Sequence, residues 1–492
     1  MNFHGRVFIV ILFCCFCISS ATHSVGAVQK PASRPNIILC MTDDQGWGET
    51  SFNGHSILKT PHLDDMAASG LRFDRFYAAA PVCSPTRGSF LTGRHPNRFA
   101  CFSWGHTLRP QEVTVAEAVK SAGYTTGHFG KWHLGSVQAN SPVSPGNSGF
   151  DEWVSSPNFY ENDPYMSHNG TVIQLKGESS RVTVDAALEF IKQSKMKEKP
   201  FLAVIWFGNP HTPHEATSEL KDLYQNQSAD FQNYFGEITG VDRAMGHLRR
   251  QLRDLGLAEN TLLWFTSDNG PRPPRFKKED SRSQATGGLA GWKGNLWEGG
   301  IRVPSIIEWP AQIQKPEVTN VPCGTIDIYP TVLAVTGAKV SHQPHLDGVS
   351  LLPLIEGQMT SRSKPMGFWT YPAKGHPKRS TEILLNLKQQ QTPEKPNPEG
   401  PVPDAEAASL KTKYSKDDLP GAAAWIDGDY KLLKMISKKN QSQYTLYNLA
   451  QDHSEKKDLS KVDPKRFRKM KAGLLDWQHS VVDSLNGKDY SD

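Results

Sequence analysis

Three uninterrupted apolar runs set the terms on which this chain can fold. They are Pro35-Asn36-Ile37-Ile38-Leu39-Cys40-Met41, Phe201-Leu202-Ala203-Val204-Ile205-Trp206-Phe207 and Thr261-Leu262-Leu263-Trp264-Phe265-Thr266. Each has the length of a strand, and none alternates with polar residues, which is the pattern of a strand buried on both faces. Each also ends in polar chemistry: Thr42-Asp43-Asp44-Gln45-Gly46, Gly208-Asn209-Pro210-His211-Thr212-Pro213-His214 and Ser267-Asp268-Asn269-Gly270. In open α/β sheets ligands bind beyond the carboxyl ends of the strands. Asp43, Asp44, Asp268 and Asn269 are therefore expected to meet at one sheet edge, with His211 beside them. Taken singly, such residues also make ordinary turns. Adjacent carboxylates are equally hard oxygen ligands for Mg²⁺ or Ca²⁺.

Between the first two runs lies Cys83-Ser84-Pro85-Thr86-Arg87-Gly88-Ser89-Phe90-Leu91-Thr92-Gly93. Pro85 suits the first turn of a helix, where its missing N–H has no intrahelical partner to lose. A helix beginning near Cys83 would present free N–H groups and a positive dipole end beside the cysteine, a site for a tetrahedral anion. Arg87 lies one turn further on and would point back to that end. Further along, Gly127-His128-Phe129-Gly130-Lys131-Trp132-His133-Leu134-Gly135 places a lysine and two histidines in a glycine-punctuated strand and loop. The glycines permit the close backbone approach wanted where an ammonium must reach an anion. A histidine held between prolines, as His211 is, suits a general acid; a lone histidine in such a loop is also simply solvated. Gly291-Trp292-Lys293-Gly294-Asn295-Leu296-Trp297-Glu298-Gly299-Gly300 precedes a fourth strand expected around Val303 to Trp309.

Helices are expected from Thr60 to Ser69, over Val115 to Ala122 behind a Thr114 cap, and at Val182–Lys192, Phe231–Leu255 and Phe467–Leu485. Residues 136–180, rich in Pro, Gly, Ser and Asn, read as loops, and Gln390 to Ala408 as a mobile loop. Tyr430–Met435 and Gln443–Leu449 alternate like antiparallel strands. The basic run Lys456 to Lys471 reads as a solvated face.

At 492 residues the chain can bury a large core, and 37% hydrophobic with 21% charged residues describes a folded protein. A net charge of +5 is slight for that length and predicts no nucleic-acid groove, though it suits an anionic substrate. Arg6, the apolar run Val7–Cys17 and small residues at Ala21 and Ala27 read as an export signal, residues 1–27, cleaved after 21 or 27. The run is short for a stable membrane span. The remaining Cys40, Cys83, Cys101 and Cys323 are too few for a disulfide scaffold; with Cys83 reserved, one disulfide and one free thiol is the most they allow. Sequons occur at Asn169, Asn226 and Asn440.

Taken together, and with the late Leu346-Asp347-Gly348-Val349-Ser350-Leu351-Leu352-Pro353 segment, these motifs resemble the type I sulfatases of the alkaline-phosphatase-like superfamily, including arylsulfatases and N-acetylgalactosamine-6-sulfatase-like enzymes. The resemblance runs from about Asn36 to Leu459. It implies an α/β fold with a large mixed β-sheet flanked by helices (residues 34–365) and a smaller C-terminal α+β subdomain with a short antiparallel sheet (366–492). It implies that Cys83 is oxidised to formylglycine by a formylglycine-generating or anaerobic sulfatase-maturing enzyme. It further implies a divalent metal, usually Ca²⁺ with Mg²⁺ as the other candidate, held by Asp43, Asp44, residue 83, Asp268 and Asn269. On this template one hydroxyl of the aldehyde hydrate attacks sulfur, His211 helped by Lys293 protonates the departing alcohol, and His133 acts as base while sulfate is expelled. Arg87 and Lys131 hold residue 83 and the sulfate oxygens. The implied substrate is a sulfated saccharide or aryl sulfate met outside the cytoplasm, in the periplasm or after secretion. A phosphate or phosphonate monoester hydrolase of the same superfamily and an inactive exported carbohydrate-binding homologue are the competing readings. Trp104, His106, Tyr160 and Trp297 are candidate sugar-facing side chains, although aromatics in this number are more often core.

Overall fold

The three apolar runs become neighbouring parallel strands. Asn36–Thr42 lies between Thr261–Ser267 and Phe201–Trp206, with Leu39 level with both Val204 and Trp264. Thr125–Lys131 and then Glu152–Ser156 continue the parallel array beyond Phe201–Trp206. Parallel pairing sends all five strands toward the same edge, so their terminal polar residues gather there. The computed structural model describes residues 1, 34–274, 280–377, 379–392, 397–410 and 412–490. The expected export signal lies, apart from Met1, outside the described residues.

The reason these strands lack polar alternation is visible in the packing. Successive side chains of a strand point to opposite faces, and here both faces are covered. Ile37, Leu39, Met41, Val204 and Trp264 join one apolar cluster with Phe90, Val115 and Val332, from the helices Cys83–Thr92, Val115–Lys120 and Ile328–Thr336. Ile38, Cys40, Ile205 and Phe265 join the opposite cluster with Met66, Leu188 and Met245, from the helices Pro61–Ser69, Ser179–Met196 and Ala229–Asp254. Val115–Lys120 opens with the expected Thr114 cap, completed by Glu117 as a capping box.

Arg302–Glu308 runs antiparallel to Thr261–Ser267 and to Leu71–Tyr77, which makes the large sheet mixed. At the far edge Tyr165–His168 and Thr171–Gln174 form an antiparallel hairpin against Glu152–Ser156. Here residues 136–180 depart from the loop expectation. The strands are short, four or five residues each, and their turn-rich flanks mask them in sequence.

A second sheet, Met366–Trp369, Ala423–Asp427, Tyr430–Ile436 and Ser442–Asn448, is wholly antiparallel. One face packs Leu432, Ala423 and Leu446 on Met470, Leu474 and Val481 of the helix Pro464–Leu485. The other packs Phe368, Ile426 and Leu433 on Tyr77, Ile301 and Ile326. Both sheets belong to the compact unit Arg34–Asp492. Cys40, Cys83, Cys101 and Cys323 are all buried, and among the described residues none is in a disulfide, so the allowance for one is not used. Among the described residues no helix is long and apolar enough to cross a membrane.

Candidate active site

The Cys83–Thr92 helix is buried along its whole length and starts at the cysteine, with Val82 extended before it. Thr86 ties the approach down, its hydroxyl donating to the Ala80 carbonyl at 2.9 Å. Gly93 ends the helix at φ 70°, a left-handed position that glycine takes without strain. Arg87 is fully buried; its Nη2 and Nε donate to Asp268 Oδ2 at 2.7 and 3.1 Å, and its Nη1 to the Lys131 carbonyl at 3.2 Å. Arg87 Nη2 also sits 3.8 Å from Asp43 Oδ1, and the guanidinium lies 5.0 Å from the Trp206 ring centroid. Its bonds thus hold a strand-end carboxylate as well as framing the cysteine.

The strand ends knit together as the topology requires. The Asp44 N–H donates to Asp268 Oδ1 at 3.0 Å, and Asn269 Nδ2 donates to Asp44 Oδ1 at 2.8 Å. Lys131, the last residue of its strand, donates to Asp43 Oδ2 at 2.6 Å from a fully buried position. Gly130 makes that possible: a Cβ there would stand 1.9 Å from the Trp206 carbonyl oxygen of the neighbouring strand. Lys293 reaches in from the Gly291–Gly300 loop and donates to Asp44 Oδ1 at 2.5 Å. His211 Nε2 lies 3.9 Å from Asp44 Oδ2, while its Nδ1–H donates to the Thr212 carbonyl at 2.7 Å. Phe159 stacks on the His211 ring with centroids 4.4 Å apart. His133 is buried with φ 56°. The ten residues named from sequence for metal binding and catalysis therefore lie in one cluster or in the wall of the cavity above it.

Three carboxylates, Asp43, Asp44 and Asp268, face three cations, Arg87, Lys131 and Lys293. Burial pushes the His211 imidazole down to about 3, with Asp44 opposing. Burial pushes Asp268 up to about 6, helped by the Asp43 charge and resisted by Arg87. Asp44 feels burial upward, yet Lys293 and His211 hold it below the ordinary carboxylate range. Burial raises the Cys83 thiol, with Lys131 and Lys293 opposing. An encoded thiol in this state is a poor nucleophile.

Whether a cation fits can be judged from the oxygens that the protein leaves unused. Asp43 Oδ1, Asp44 Oδ2 and Asn269 Oδ1 are buried without a hydrogen-bond partner. Orphaned buried acceptors are costly and uncommon, and these three are hard oxygen donors on adjacent strand ends. Asp43, Cys83 and Asp268 offer ligand atoms within 4.8 Å of one another, as do Asp43, Asp44 and His211. The donor set fits a divalent oxygen-loving ion.

Above the cluster opens a cavity of 570 Å³ with Cys83, His133, His211 and Lys293 in its wall. Trp292, from the Gly291–Gly300 motif, also lines it, as do Asn158, Phe159, Arg272 and Arg379, which no motif had marked. Of the aromatic candidates only Trp104 lines it. Tyr160 is buried with its hydroxyl 2.7 Å from Thr183 Oγ1. Trp297 packs beside Tyr447 at the small sheet. His106 Nε2 bonds the Lys374 carbonyl and its ring stacks on His376. Those three serve packing.

Comparison with known proteins agrees with this geometry. The Sulfatase family model matches residues 35–338. N-acetylgalactosamine-6-sulfatase of Sus scrofa is 32% identical, the match covering 70% of each chain. Arylsulfatase A of Homo sapiens is 32% identical over 70% of this chain and 72% of that one. The solved structure of Ps i-CgsB in complex with k-i-k-neocarrahexaose superimposes with a TM-score of 0.72 at 25% identity, covering 90% of this chain and 92% of that one. A strand-end cluster of this composition within such a match leaves one assignment: the chain belongs to the sulfatase family of the alkaline-phosphatase-like superfamily and is a sulfuric ester hydrolase.

Proposed function

We propose that this enzyme removes sulfate from a sulfated carbohydrate, using formylglycine made from Cys83 and a Ca²⁺ ion held by Asp43, Asp44, residue 83, Asp268 and Asn269. One observation carries the reading: Cys83 stands in the cavity wall directly over unused Asp and Asn oxygens and a charge-balanced set of three carboxylates and three cations. The carbohydrate assignment draws on the N-acetylgalactosamine-6-sulfatase relative and on the carbohydrate complex of Ps i-CgsB.

The divalent ion would supply charge neutralisation for the sulfate oxygens, and formylglycine a hydrate with one hydroxyl to attack sulfur and a second that lets sulfate depart without water attacking sulfur. The chain's own residues do the rest. Arg87 fixes Asp268, and through it the metal-holding edge, while its charge offsets the carboxylates. Lys131 and Lys293, now on Asp43 and Asp44, are positioned to swing onto sulfate oxygens and stabilise the charge that grows there. His211 Nε2 faces the cavity, because Nδ1–H is committed to the Thr212 carbonyl; only the imidazolium, which the Asp44 carboxylate favours against burial, carries the Nε2 proton that passes to the departing alcohol oxygen. Stacking on Phe159 keeps that ring in one plane. His133 takes the proton released as sulfate is expelled. An anionic substrate enters a site whose formal protein charge is balanced, so its desolvation is met by the ion and the lysines.

The assignment of residues 34–365 as catalytic part and 366–492 as C-terminal subdomain belongs to the same proposal, as does export through residues 1–27. Maturation requires a formylglycine-generating or anaerobic sulfatase-maturing enzyme acting on Cys83-x-Pro85-x-Arg87. The test is an assay of the matured enzyme against sulfate, phosphate and phosphonate monoesters in parallel, with mass spectrometry of the Cys83 peptide. Sulfate release, an aldehyde at residue 83 and loss of turnover on chelation, restored by Ca²⁺, are expected. A preference for phosphate esters, or an intact thiol in active enzyme, would overturn it.

A further inference from the structure

The cavity wall holds more positive charge than sulfate removal uses. Arg272 and Arg379 line it alongside Lys293, and no carboxylate is among the lining residues. Both guanidiniums are exposed, and among the described residues neither is in an ion pair, whereas Arg75, Arg87, Arg94, Arg98, Arg249, Arg302 and Arg362 each are.

Arg379 is brought there by a built contact. The Trp104 ring presses on Gly375, where a Cβ would meet it at 2.2 Å. The His376 N–H donates to the Trp104 carbonyl at 2.9 Å, and His106 holds the Lys374 carbonyl at 2.8 Å. This staple carries Pro377 and Arg379 from the small-sheet side of the chain to the mouth of the site. Just beyond, Ser380 starts the helix Ser380–Gln390, and its hydroxyl accepts from the Asn158 N–H at 2.9 Å.

Arg379 and Phe159 are also the shared wall with a second cavity of 710 Å³, bordered by Glu161, Ser380, Glu382 and Asn386. Each cavity lies within the range of roughly 300–1,000 Å³ common for small-ligand sites. The two differ in lining. The first is cationic, with the half-exposed indoles of Trp104 and Trp292 at its wall; the second mixes carboxylates, amides and hydroxyls, the partners that sugar hydroxyls take.

We propose that the substrate is a saccharide of at least two units carrying a second anion, a carboxylate or a further sulfate, that Arg272 and Arg379 bind while the next sugar occupies the adjoining cavity. This deepens the carbohydrate reading above and rests on it. Guanidinium forks match carboxylate and sulfate oxygens in geometry as well as charge. The indoles offer flat faces to sugar rings. Glu161 and Glu382 make the second cavity unsuited to the extra anion, which places that anion at the arginines.

The test is competition against p-nitrophenyl sulfate turnover by matured enzyme, read as inhibition constants for matched saccharides. One arm compares a sulfated hexosamine–uronate disaccharide with its carboxyl-reduced form. A second compares a disaccharide containing N-sulfated glucosamine 6-sulfate with the same disaccharide N-acetylated. The extra anion is expected to tighten binding about tenfold or more in at least one arm, and that arm names the anion. In the Arg272→Ala/Arg379→Ala double variant the advantage is expected to collapse to within about twofold, and in the double lysine variant to return in part. An equal inhibition constant with and without the extra anion in both arms, or an advantage that survives in the alanine variant, overturns the proposal. Failure of the underlying reading looks different: matured wild-type enzyme would then release no sulfate from p-nitrophenyl sulfate or from any of these saccharides.

Discussion

Two buried carboxylate centres of this protein carry similar charges and do opposite things with them. Asp347, in the Leu346–Pro353 segment, accepts from the His95 N–H at 2.7 Å, Arg98 Nε and Nη2 at 2.7 and 2.8 Å, and Trp477 Nε1 at 2.9 Å. Arg98 in turn donates to the Ser480 carbonyl and the Ser484 hydroxyl of the Pro464–Leu485 helix. Both oxygens of Asp347 are used, and although burial acts against ionisation, Arg98 holds its carboxyl far below the ordinary range. At the strand edge, by contrast, Asp43 and Asp44 each keep one buried oxygen without a hydrogen-bond partner, and so does Asn269. A satisfied ion pair locks the C-terminal helix to the body; an unsatisfied one is held ready for a ligand. Buried atoms without a partner also occur elsewhere, Gln478 and Arg94 Nε among them; what sets the strand edge apart is that three such oxygens converge beside Cys83 beneath a cavity.

Four substitutions can break or sharpen that contrast. Cys83→Ala is expected to reduce turnover roughly 10⁴-fold or more while the melting temperature stays within a degree or two of wild type; retained activity would remove Cys83 from the chemistry. His211→Ala should cost roughly 10²- to 10⁴-fold in kcat on an alkyl or sugar sulfate, with a smaller loss on p-nitrophenyl sulfate, whose leaving group needs little protonation. Equal losses on both would deny the ring its role as acid. On the other side, Asp347→Ala leaves buried Arg98 without its counter-ion and should lower stability by about 3–5 kcal/mol in denaturant titrations, with kcat of the folded fraction near normal. A large kcat effect with unchanged stability would erase the distinction between the two centres. Trp477→Phe removes one neutral donor from Asp347 and is expected to cost about 1.5 kcal/mol, readable as a small shift in the unfolding midpoint at constant slope.

What could be read in the chain was local and strongly patterned. The runs at Ile37, Leu202 and Leu262 announced doubly covered strands because both faces demand apolar side chains, and the parallel rule then placed Asp43, Asp44, Asp268 and Asn269 together. Thr114 with Glu117, Pro85 and Gly93 marked helix ends through backbone chemistry that operates within a turn. The hairpin at Tyr165–Gln174 escaped notice because four-residue edge strands leave no periodicity to detect. Tyr160 and Trp297 stood open between sugar site and core for a related reason, and packing settled them as core: an aromatic residue carries no local sign of whether it faces a cavity or a core. Arg272 and Arg379 were invisible as site residues, since an exposed arginine in a loop has no pattern of its own.

The sequence by itself brought Asp43, Asp44, Asp268 and Asn269 to one sheet edge and set Cys83 at a helix start, because those depend on short motifs and on a sheet topology with one permissible edge for ligands. The tertiary structure alone decided which oxygens stay unbonded and which loops wall the cavity. Those outcomes turn on contacts between segments up to hundreds of residues apart, such as Lys293 on Asp44 and Gly375 beneath Trp104. No local rule reaches that far, and at this site the distant contacts set what the enzyme can hold.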